Sequence, residues 1–375
     1  MLSFWESRSF LEYDLIVIGG GIVGLSTAIQ FKKNNPYASV LVLERGIFPS
    51  GASTRNAGFA CFGSLTEIID DMNTLTVQEV KDLIEKRYKG LLFIRSIFGD
   101  EGLGYQDNGG YELITAKEQK CIEKIEYINT LLYPVFGRDV FTLEEVPGRF
   151  GFSPEVVAVV SNPLEGELDS GKFLNQLWET CQLFKIKILT GSEVMELDDE
   201  NNTVFVNSPV YRSKVQFKGS KIAVCTNAFT SKIVKGKDIQ PGRGMIMVSA
   251  PLKKTIPWNG AFHYDKGYVY FRNIENRLLI GGGRNLDFEV ENTWDHGINP
   301  KLKTYLLDLV ERIILPGETL EVDMEWSGIM AFGPTKQPVV ELLTKDLGVA
   351  VRLGGMGVAI GWQTASELVN LLEGQ

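Results

Sequence analysis

The hydrophobic pattern is strongest near the start of the chain, at residues 14–45. Residues 14–18 form an apolar run rich in Ile and Val, which is typical of a buried parallel strand. Apolar residues then recur at helical spacing up to Asn34-Asn35-Pro36, where the helix is predicted to end. A second apolar strand follows and ends in Glu44. The pattern therefore predicts a strand, a helix and a second strand, the βαβ unit of a parallel sheet.

The rest of the chain alternates between helical and strand patterns. Helical spacing predicts helices at residues 76–98, 117–132 and 300–313, a helix beginning at Asp169, and a terminal helix through Leu372. Apolar and alternating runs predict strands at residues 111–114, 186–189, 193–197, 203–206, 211–217, 221–228, 245–249, 267–272, 277–281 and 348–353. Residues 326–334 are rich in aromatic residues and glycine, and we expect them to form a turn.

Three glycines connect the first predicted strand to its helix, as Gly19-x-Gly21-x-x-Gly24. Gly19 permits a tight turn, Gly21 lets the backbone approach a pyrophosphate, and Gly24 allows close packing of helix on strand. Glu44 lies twenty residues beyond Gly24, where an acid accepts hydrogen bonds from ribose hydroxyls. This order of elements predicts a dinucleotide site; the alternative is a plain βαβ unit without a ligand.

These patterns together indicate an α/β fold (α+β overall). We predict a Rossmann-type nucleotide-binding domain interleaved with a domain built on an antiparallel sheet. The first domain is expected at residues 10–90, 152–234 and 326–375, and the second at residues 91–151 and 235–325.

Two further glycine-rich segments are candidates for close contact with a ligand. Residues 49–63 pack small residues, hydroxyls and an Arg–Asn pair into one loop, in which Ser53 and Arg55 are available for phosphate or ring oxygens. Residues 354–358 connect the last predicted strand to the terminal helix. The alternatives are a simple Gly/Ser loop and a tight strand–helix link.

Charge and cysteine usage narrow the class of protein. The formal net charge of −9 over 375 residues disfavours a nucleic acid as the main partner. Four cysteines lie far apart without a CxxC pair, so we expect free thiols, a reducing compartment and a cytoplasmic location. The charged segment 1–14 does not resemble a signal peptide, and no apolar run is long enough to cross a membrane. Peripheral membrane contact and the oligomeric state stay open.

Histidine is scarce, with only His263 and His296 in the chain. We therefore expect neither a metal site nor a histidine-based triad. Both histidines lie in loop-like contexts, and we expect surface or packing roles for them and no essential part in catalysis.

Five motifs occur in an order that resembles the D-amino-acid-oxidase superfamily of FAD-dependent oxidoreductases. They are the opening glycine fingerprint, the Gly-Ala-Ser-Thr-Arg-Asn-Ala-Gly loop, Cys-Thr-Asn-Ala, the Tyr-x-Tyr-x-Arg and Gly-Gly-Gly strands, and Gly-Gly-Met-Gly-Val. The chain is most similar to the glycine oxidase, sarcosine oxidase and γ-glutamylputrescine oxidase branch. The resemblance covers nearly the whole chain, and it implies an FAD-binding first domain and a substrate-binding second domain.

By this resemblance the cofactor is FAD. The resemblance implies that FAD is bound non-covalently, because the 326–334 segment lacks the cysteine that carries the covalent link in sarcosine oxidases. In the family, specific residues contact the pyrophosphate, ribose, flavin ring and adenine of FAD. Those positions correspond here to Gly19, Gly21, Ile22, Val23, Gly24, Glu44, Arg45, Ala52, Ser53, Arg55, Asn56, Gly58, Val194, Gly355, Met356, Gly357 and Val358.

The sequence departs from the family pattern at two substrate positions. Amino-acid oxidases of the family usually place a carboxylate-binding arginine where this chain has Met330, and sarcosine oxidases carry a lysine where it has Leu279. We therefore expect amines, or substrates with a carboxylate distant from the reacting carbon, to be preferred over glycine, sarcosine or proline. The candidate substrate residues are Tyr268, Tyr270, Arg272, Trp326 and Met330, with Arg243 and Arg284 as lesser carboxylate-binding candidates.

The implied reaction is oxidation of a C–N bond of a small amine or amino acid to an imine, by hydride transfer to the flavin. One alternative is an amino-acid dehydrogenase that passes electrons to a quinone or a protein, and another is a flavin-binding protein without turnover. A role on modified tRNA is disfavoured by the negative charge and by the absence of a fused methyltransferase domain.

Overall fold

The computed structural model describes residues 2–145, 147–208 and 210–375; Met1, Val146 and Pro209 lie outside the described residues. The helices are α1 (Phe4–Ser9), α2 (Ile22–Asn34), α3 (Leu65–Asp71), α4 (Val77–Leu103), α5 (Ile125–Phe136), α6 (Ser170–Leu183), α7 (Phe288–Glu291), α8 (Pro300–Leu309) and α9 (Gly357–Glu373). The strands are β1 (Glu12–Ile18), β2 (Val40–Leu43), β3 (Phe59–Ala60), β4 (Gly110–Thr115), β5 (Thr142–Leu143), β6 (Val156–Asn162), β7 (Gly166–Glu167), β8 (Lys187–Leu189), β9 (Val194–Asp198), β10 (Thr203–Ser208), β11 (Ser213–Val224), β12 (Gln240–Ser249), β13 (Ala261–Tyr264), β14 (Val269–Ile274), β15 (Arg277–Gly282), β16 (Val322–Phe332), β17 (Val339–Thr344) and β18 (Leu347–Val351). None of the described helices combines the length and the apolar composition needed to cross a membrane.

The first sheet has the order β17-β18-β11-β1-β2-β8; β10 also pairs with β11, and β9 pairs with β10. Its centre is parallel, since β1 pairs in parallel with both β2 and β11. Side chains of β1 alternate between two cores: Leu15 and Val17 pack towards α2, and Ile16 and Ile18 pack towards the opposite face. Burial on both faces explains why β1 is an almost continuous apolar run.

The second sheet has the order β16-β12-β15-β14-β13-β4-β6-β5. It is mostly antiparallel, and each strand presents alternate residues to the two faces. One face, which includes Met245, Met247 and Phe271, packs against Leu306 of α8 in a separate apolar core. The other face is turned towards the loop of residues 52–58 from the first part of the chain. The second sheet therefore forms a wall beside the predicted nucleotide turn.

The structure confirms the predicted fold class, with local differences. Residues 326–334 were expected to form a turn, but most of them belong to the long strand β16. The strands predicted separately at 211–217 and 221–228 are joined in one strand, β11, because Gly219 stays paired with Tyr13 of β1; residues 225–228 lie beyond the end of β11. Residues that favour turns act only locally. In β16 the continuous hydrogen bonding with β12 outweighs this local preference and keeps the segment extended.

The domain boundaries stay a prediction. Strands β6 and β16 hydrogen bond within the second sheet, although the expected boundaries put them with the first domain. Helix α4 crosses the expected boundary at residue 90 and packs on α9 and α6 beside the first sheet.

Candidate dinucleotide and substrate groove

The turn between β1 and α2 has the geometry that its glycines predict. Gly19 has φ +105°, and a Cβ placed on it would lie 2.7 Å from the carbonyl oxygen of Cys225. A Cβ on Gly24 would lie 1.9 Å from the carbonyl oxygen of Gly19. Neither contact is possible for a larger residue, so glycine is required for the turn and for the packing of helix on strand.

The carboxylate of Glu44 is buried at the end of β2 and is held by backbone N–H groups. The N–H of Gly20 donates to Oε2 at 2.9 Å, and the N–H of Gly46 donates to Oε1 at 2.8 Å. Charge-assisted bonds of this kind fix the orientation of the carboxylate beside the glycine turn. The acid is thus in the place where a ribose hydroxyl can donate to its remaining lone pairs.

The first turn of α2 is open towards the same space. Gly21 precedes the helix without a side chain to cap it, and the N–H of Ile22 donates to Oγ of Ser53 at 3.0 Å. The N–H groups that follow carry the partial positive charge of a helix N-terminus, which suits a pyrophosphate. The N-terminus of α9, at Met356, also lacks a side-chain cap.

A groove with a volume of about 850 Å³ runs along these elements and continues to the second sheet. This volume lies within the range of ligand and cofactor sites, roughly 300–1,000 Å³. From the predicted cofactor set, the groove is lined by Gly19, Gly21, Ile22, Val23, Glu44, Arg45, Ala52, Ser53, Arg55, Asn56, Val194, Gly355, Met356, Gly357 and Val358. From the predicted substrate set, it is lined by Tyr268, Tyr270 and Met330.

Gly24 and Gly58, also predicted to contact the cofactor, are outside this lining and shape the turns behind it. Gly58 has φ +73°, and a Cβ there would lie 2.2 Å from the carbonyl oxygen of Leu168. The residues present fit a dinucleotide: an acid for ribose, two uncapped helix N-termini and a glycine-lined path between them.

Cross-strand pairing assembles the substrate end of the groove. His263 on β13 pairs with Tyr270 on β14, and Tyr270 pairs with Gly281 on β15. Because paired residues share a face, these side chains and Met330 of β16 lie on one side of the sheet. Phe59 packs edge-on against Tyr270, with ring centroids 5.7 Å apart. The groove therefore ends in a largely aromatic and apolar surface, where burial raises the pKa of Tyr270.

Arg272 and Trp326 were expected to face the substrate, but neither side chain lines the groove. The guanidinium of Arg272 is buried, and its Nη1 donates to the carbonyl oxygens of Ala57, Gly58 and Leu168 at 3.0–3.2 Å. Its Nε lies 3.1 Å from a carboxylate oxygen of Glu167. The indole N–H of Trp326 donates to the carbonyl oxygen of Arg55 at 3.1 Å. Both side chains hold the 52–58 loop against the second sheet, because they satisfy backbone carbonyls that would otherwise be buried without donors.

Residues 14–371 match the protein family described as FAD dependent oxidoreductase, or DAO. The chain belongs to this FAD-dependent oxidoreductase family. Family membership identifies FAD as the cofactor, in agreement with the dinucleotide geometry of the groove.

Similar proteins include L-2-hydroxyglutarate dehydrogenase from Indibacter alkaliphilus, which is 23% identical over 232 residues and is matched over 60% of this chain and 53% of its own length. A putative bifunctional amine oxidase from Dictyostelium discoideum is 26% identical over 252 residues, with 61% of this chain and 21% of that protein covered. The matched segment thus spans about half of the first relative and about a fifth of the second.

Solved structures show the same fold at low sequence identity. Glycine oxidase from Geobacillus kaustophilus superposes with a TM-score of 0.77 at 17% identity, covering 97% of this chain and 95% of that one. L-proline dehydrogenase from P. horikoshii gives a TM-score of 0.76 at 20% identity, with 97% and 94% covered. Iminodiacetate oxidase from Chelativorans sp. BNC1 gives 0.74 at 16% identity, with 96% and 95% covered.

His263 does not lie in the loop-like context that the sequence indicated, because it belongs to β13 and is buried. Burial lowers the pKa of His263 to about 4, so the ring is neutral near pH 7. Its Nε2 lies 3.9 Å from a carboxylate oxygen of Glu165, and burial raises the pKa of that carboxyl to about 7. His296 does lie in a loop, with Nδ1 3.2 Å from Oγ of Ser327.

Cys61, Glu165 and His263 are buried together and place their ligand atoms within 4.8 Å of one another. A metal ion would need the thiolate of Cys61, but burial raises the pKa of this thiol well above its usual value. The expectation of no metal site stays a prediction.

An ionic cluster beside the substrate end, with two buried carboxylates and a partly exposed lysine, was not predicted from the sequence. Nζ of Lys336 lies 2.9 Å from a carboxylate oxygen of Glu67 and 2.7 Å from one of Asp71. Burial by itself would raise the pKa of Glu67, but Lys336 and Arg87 outweigh it and hold this pKa at about 2. Glu67 and Lys336 are 269 positions apart and follow no common motif, so only the fold brings them together.

Proposed function

We propose that this protein is a flavoenzyme that oxidises a C–N bond of a small amine or amino acid to an imine. The observation that carries the proposal is the continuous groove, which joins the glycine turn at Gly21 to the aromatic face of Tyr270 in the second sheet. A dinucleotide bound at the turn would have its far end beside that face. When bound, FAD supplies the hydride acceptor, and the imine is afterwards hydrolysed by water.

The groove residues would bind the substrate, exclude water and favour the reactive form of the amine. Tyr270, Met330 and Phe59 present little polar surface, so an ammonium entering between them would be desolvated. Desolvation disfavours the charged form and lowers the pKa of a bound amine. The proton would leave to water or to the carboxylate of Asp71, which lines the same groove and whose pKa is raised by burial.

The proposed substrate preference follows from Met330. A soft apolar side chain occupies the position where family amino-acid oxidases usually have arginine, so an α-carboxylate placed there would have no bidentate partner. A buried carboxylate without a partner costs several kcal/mol, on the order of a broken buried ion pair. Amines, or substrates with a more distant carboxylate, should therefore react faster than glycine, sarcosine or proline.

A cytoplasmic location is part of the proposal, supported by four cysteines that are all free. The proposal covers both oxygen and a quinone or protein as the electron acceptor.

Anaerobic addition of amines to the purified FAD-loaded protein tests the function. Bleaching of the flavin bands by a primary or secondary amine is expected. If 2-hydroxy acids bleach the flavin and amines do not, the oxidised bond is C–O, as the name of the L-2-hydroxyglutarate dehydrogenase relative describes for that protein. No bleaching by either class would leave a flavin-binding protein without turnover. Admitting air, and in a parallel sample a soluble quinone, then distinguishes the two acceptors by the rate at which the flavin colour returns.

A further inference from the structure

Arg284 lies just after β15 and lines the groove. Its Nη2 donates to Oδ1 of Asn292 at 2.8 Å, and its Nε is buried without a hydrogen-bond partner. The guanidinium lies over the rings of Phe332 and Phe288, 4.0 and 4.7 Å from their centroids. The aromatic rings hold the plane of the guanidinium in place but leave part of its donor edge free.

Neighbouring cations differ from Arg284 in this respect. Nη2 of Arg243 lies 2.8 Å from a carboxylate oxygen of Glu291, and Nζ of Lys266 lies 2.7 Å from one of Asp70. Lys336 is likewise paired with Glu67. Over the described residues Arg284 forms no ion pair, and burial lowers the pKa of its guanidinium, although arginine stays charged in proteins. A partly buried charge of this kind is stabilised when an anion supplies the missing partner.

The position of Arg284 along β12 shows how far this charge lies from Met330. A Cβ placed on Gly242 would lie 2.8 Å from Nε of Arg284, and a Cβ on Gly244 would lie 2.8 Å from Cε of Met330. The two glycines are two residues apart on one face of the strand, which is about 6.6–6.8 Å. The available positive charge is therefore displaced by one repeat of the strand from the position of Met330.

We propose that Arg284, together with Asn292, binds a carboxylate of the substrate that is several bonds away from the C–N bond being oxidised. This inference rests on the proposed function and names its substrate class: amines that carry a remote carboxylate. The planar guanidinium offers parallel N–H donors to a carboxylate, and the amide of Asn292 lines the same part of the groove. Gly242 leaves the space in which this arginine lies against β12.

Ligand binding without turnover tests the proposal. Glutarate and its neutral analogue glutaramide are titrated into the FAD-loaded protein, and the dissociation constants are read from the change in flavin absorbance. We expect glutarate to bind the wild type at least about tenfold more tightly than glutaramide. Arg284→Gln should remove this difference. Arg284→Lys should keep part of it, because lysine keeps the positive charge but lacks the two parallel N–H donors of the guanidinium.

Arg277→Gln is the matched control, since Arg277 is an arginine of β15 that lies outside the groove lining. It should keep the preference of the wild type for glutarate. If Arg284→Gln does not retain FAD, the wild-type comparison still decides, because equal binding of glutarate and glutaramide overturns the proposal. Retention of the glutarate preference in a folded Arg284→Gln protein overturns it as well. These outcomes are independent of amine turnover, so failure here is distinguishable from failure of the proposed function.

Discussion

Arg272 was expected to bind the substrate, but its side chain holds the 52–58 loop in place. Sequence placed it on a strand that leads to the substrate, whereas the structure turns its guanidinium towards three backbone carbonyls and Glu167. The strand alternates, so Tyr270 and Arg272 share a face, but the 52–58 loop covers that face at Arg272. The same periodicity thus leads to two different environments along one strand.

Replacement of this arginine should therefore affect the cofactor loop more than the substrate. In Arg272→Met, three carbonyls and the Glu167 carboxylate lose their partner, which should cost about 3–5 kcal/mol of stability. We expect a lower melting temperature and poor FAD retention, while KM of any FAD-loaded fraction changes by less than about threefold. Thermal unfolding, flavin content and KM measure the three effects. A large rise in KM with full FAD retention would instead return Arg272 to the substrate site.

Glu112 is a second residue whose environment only the fold determines. Burial raises the pKa of its carboxyl to about 7, although the carboxyl accepts hydrogen bonds from Ser64 and Thr66. The folded protein therefore binds a proton at this site up to about pH 7, whereas the unfolded chain releases it near pH 4.5. The contribution to stability is full below pH 4.5 and is lost as the pH rises to 7.

Glu112→Gln should remove this pH dependence. Relative to the variant, the wild type is expected to lose up to about 3 kcal/mol between pH 4.5 and 8. Urea unfolding of both proteins at several pH values measures the difference, and groups common to both cancel. A constant difference across this range would show that the carboxyl titrates normally.

At the scale of elements, β1, the glycine turn and α2 are packed closely together. Gly24→Ala would put a Cβ 1.9 Å from the carbonyl oxygen of Gly19, so strand and helix must separate. We expect a loss of about 1–3 kcal/mol or more, together with loss of FAD binding. Gly148→Ala is the control, because a Cβ there meets nothing within 4 Å, the glycine does not have positive φ, and it lies outside the groove lining. Equal FAD affinity of the two variants, measured by flavin fluorescence, would contradict the close packing.

The whole molecule is organised around the groove between the two sheets. A ligand that contacts both walls should stabilise both sheets. A ligand that binds only the native state raises the free energy needed to open every element whose opening disrupts the binding site. At a free FAD concentration 100 times the dissociation constant the gain is about 2.7 kcal/mol. We therefore expect FAD to slow amide exchange in β12 of the second sheet as well as in β1.

Hydrogen-exchange mass spectrometry of the protein with and without FAD makes this measurement. Protection confined to β1 and α2 would mean that the cofactor does not couple the sheets.

The same preparation tests the non-covalent character of the cofactor, because acid precipitation should leave a yellow supernatant.

The sequence alone determined the nucleotide half of this protein. The roles of Gly19, Gly24 and Glu44 depend on local backbone geometry, and a run of apolar residues suffices to predict β1. Such signals lie within about thirty residues of one another, so the order of residues carries them. Most predicted cofactor residues accordingly line one groove.

Only the tertiary structure decided which side chains meet at the substrate end. Tyr270 faces the groove and Arg272 does not, because the 52–58 loop covers one part of the same strand face. His263 is a buried strand residue because β13 pairs with β14 at Tyr270. Lys336 contacts Glu67 because the fold brings together two segments that are 269 positions apart. The uncompensated charge of Arg284 is likewise a property of what surrounds it in space. Pairing and burial between distant segments set these environments, and no short-range pattern in the sequence records them.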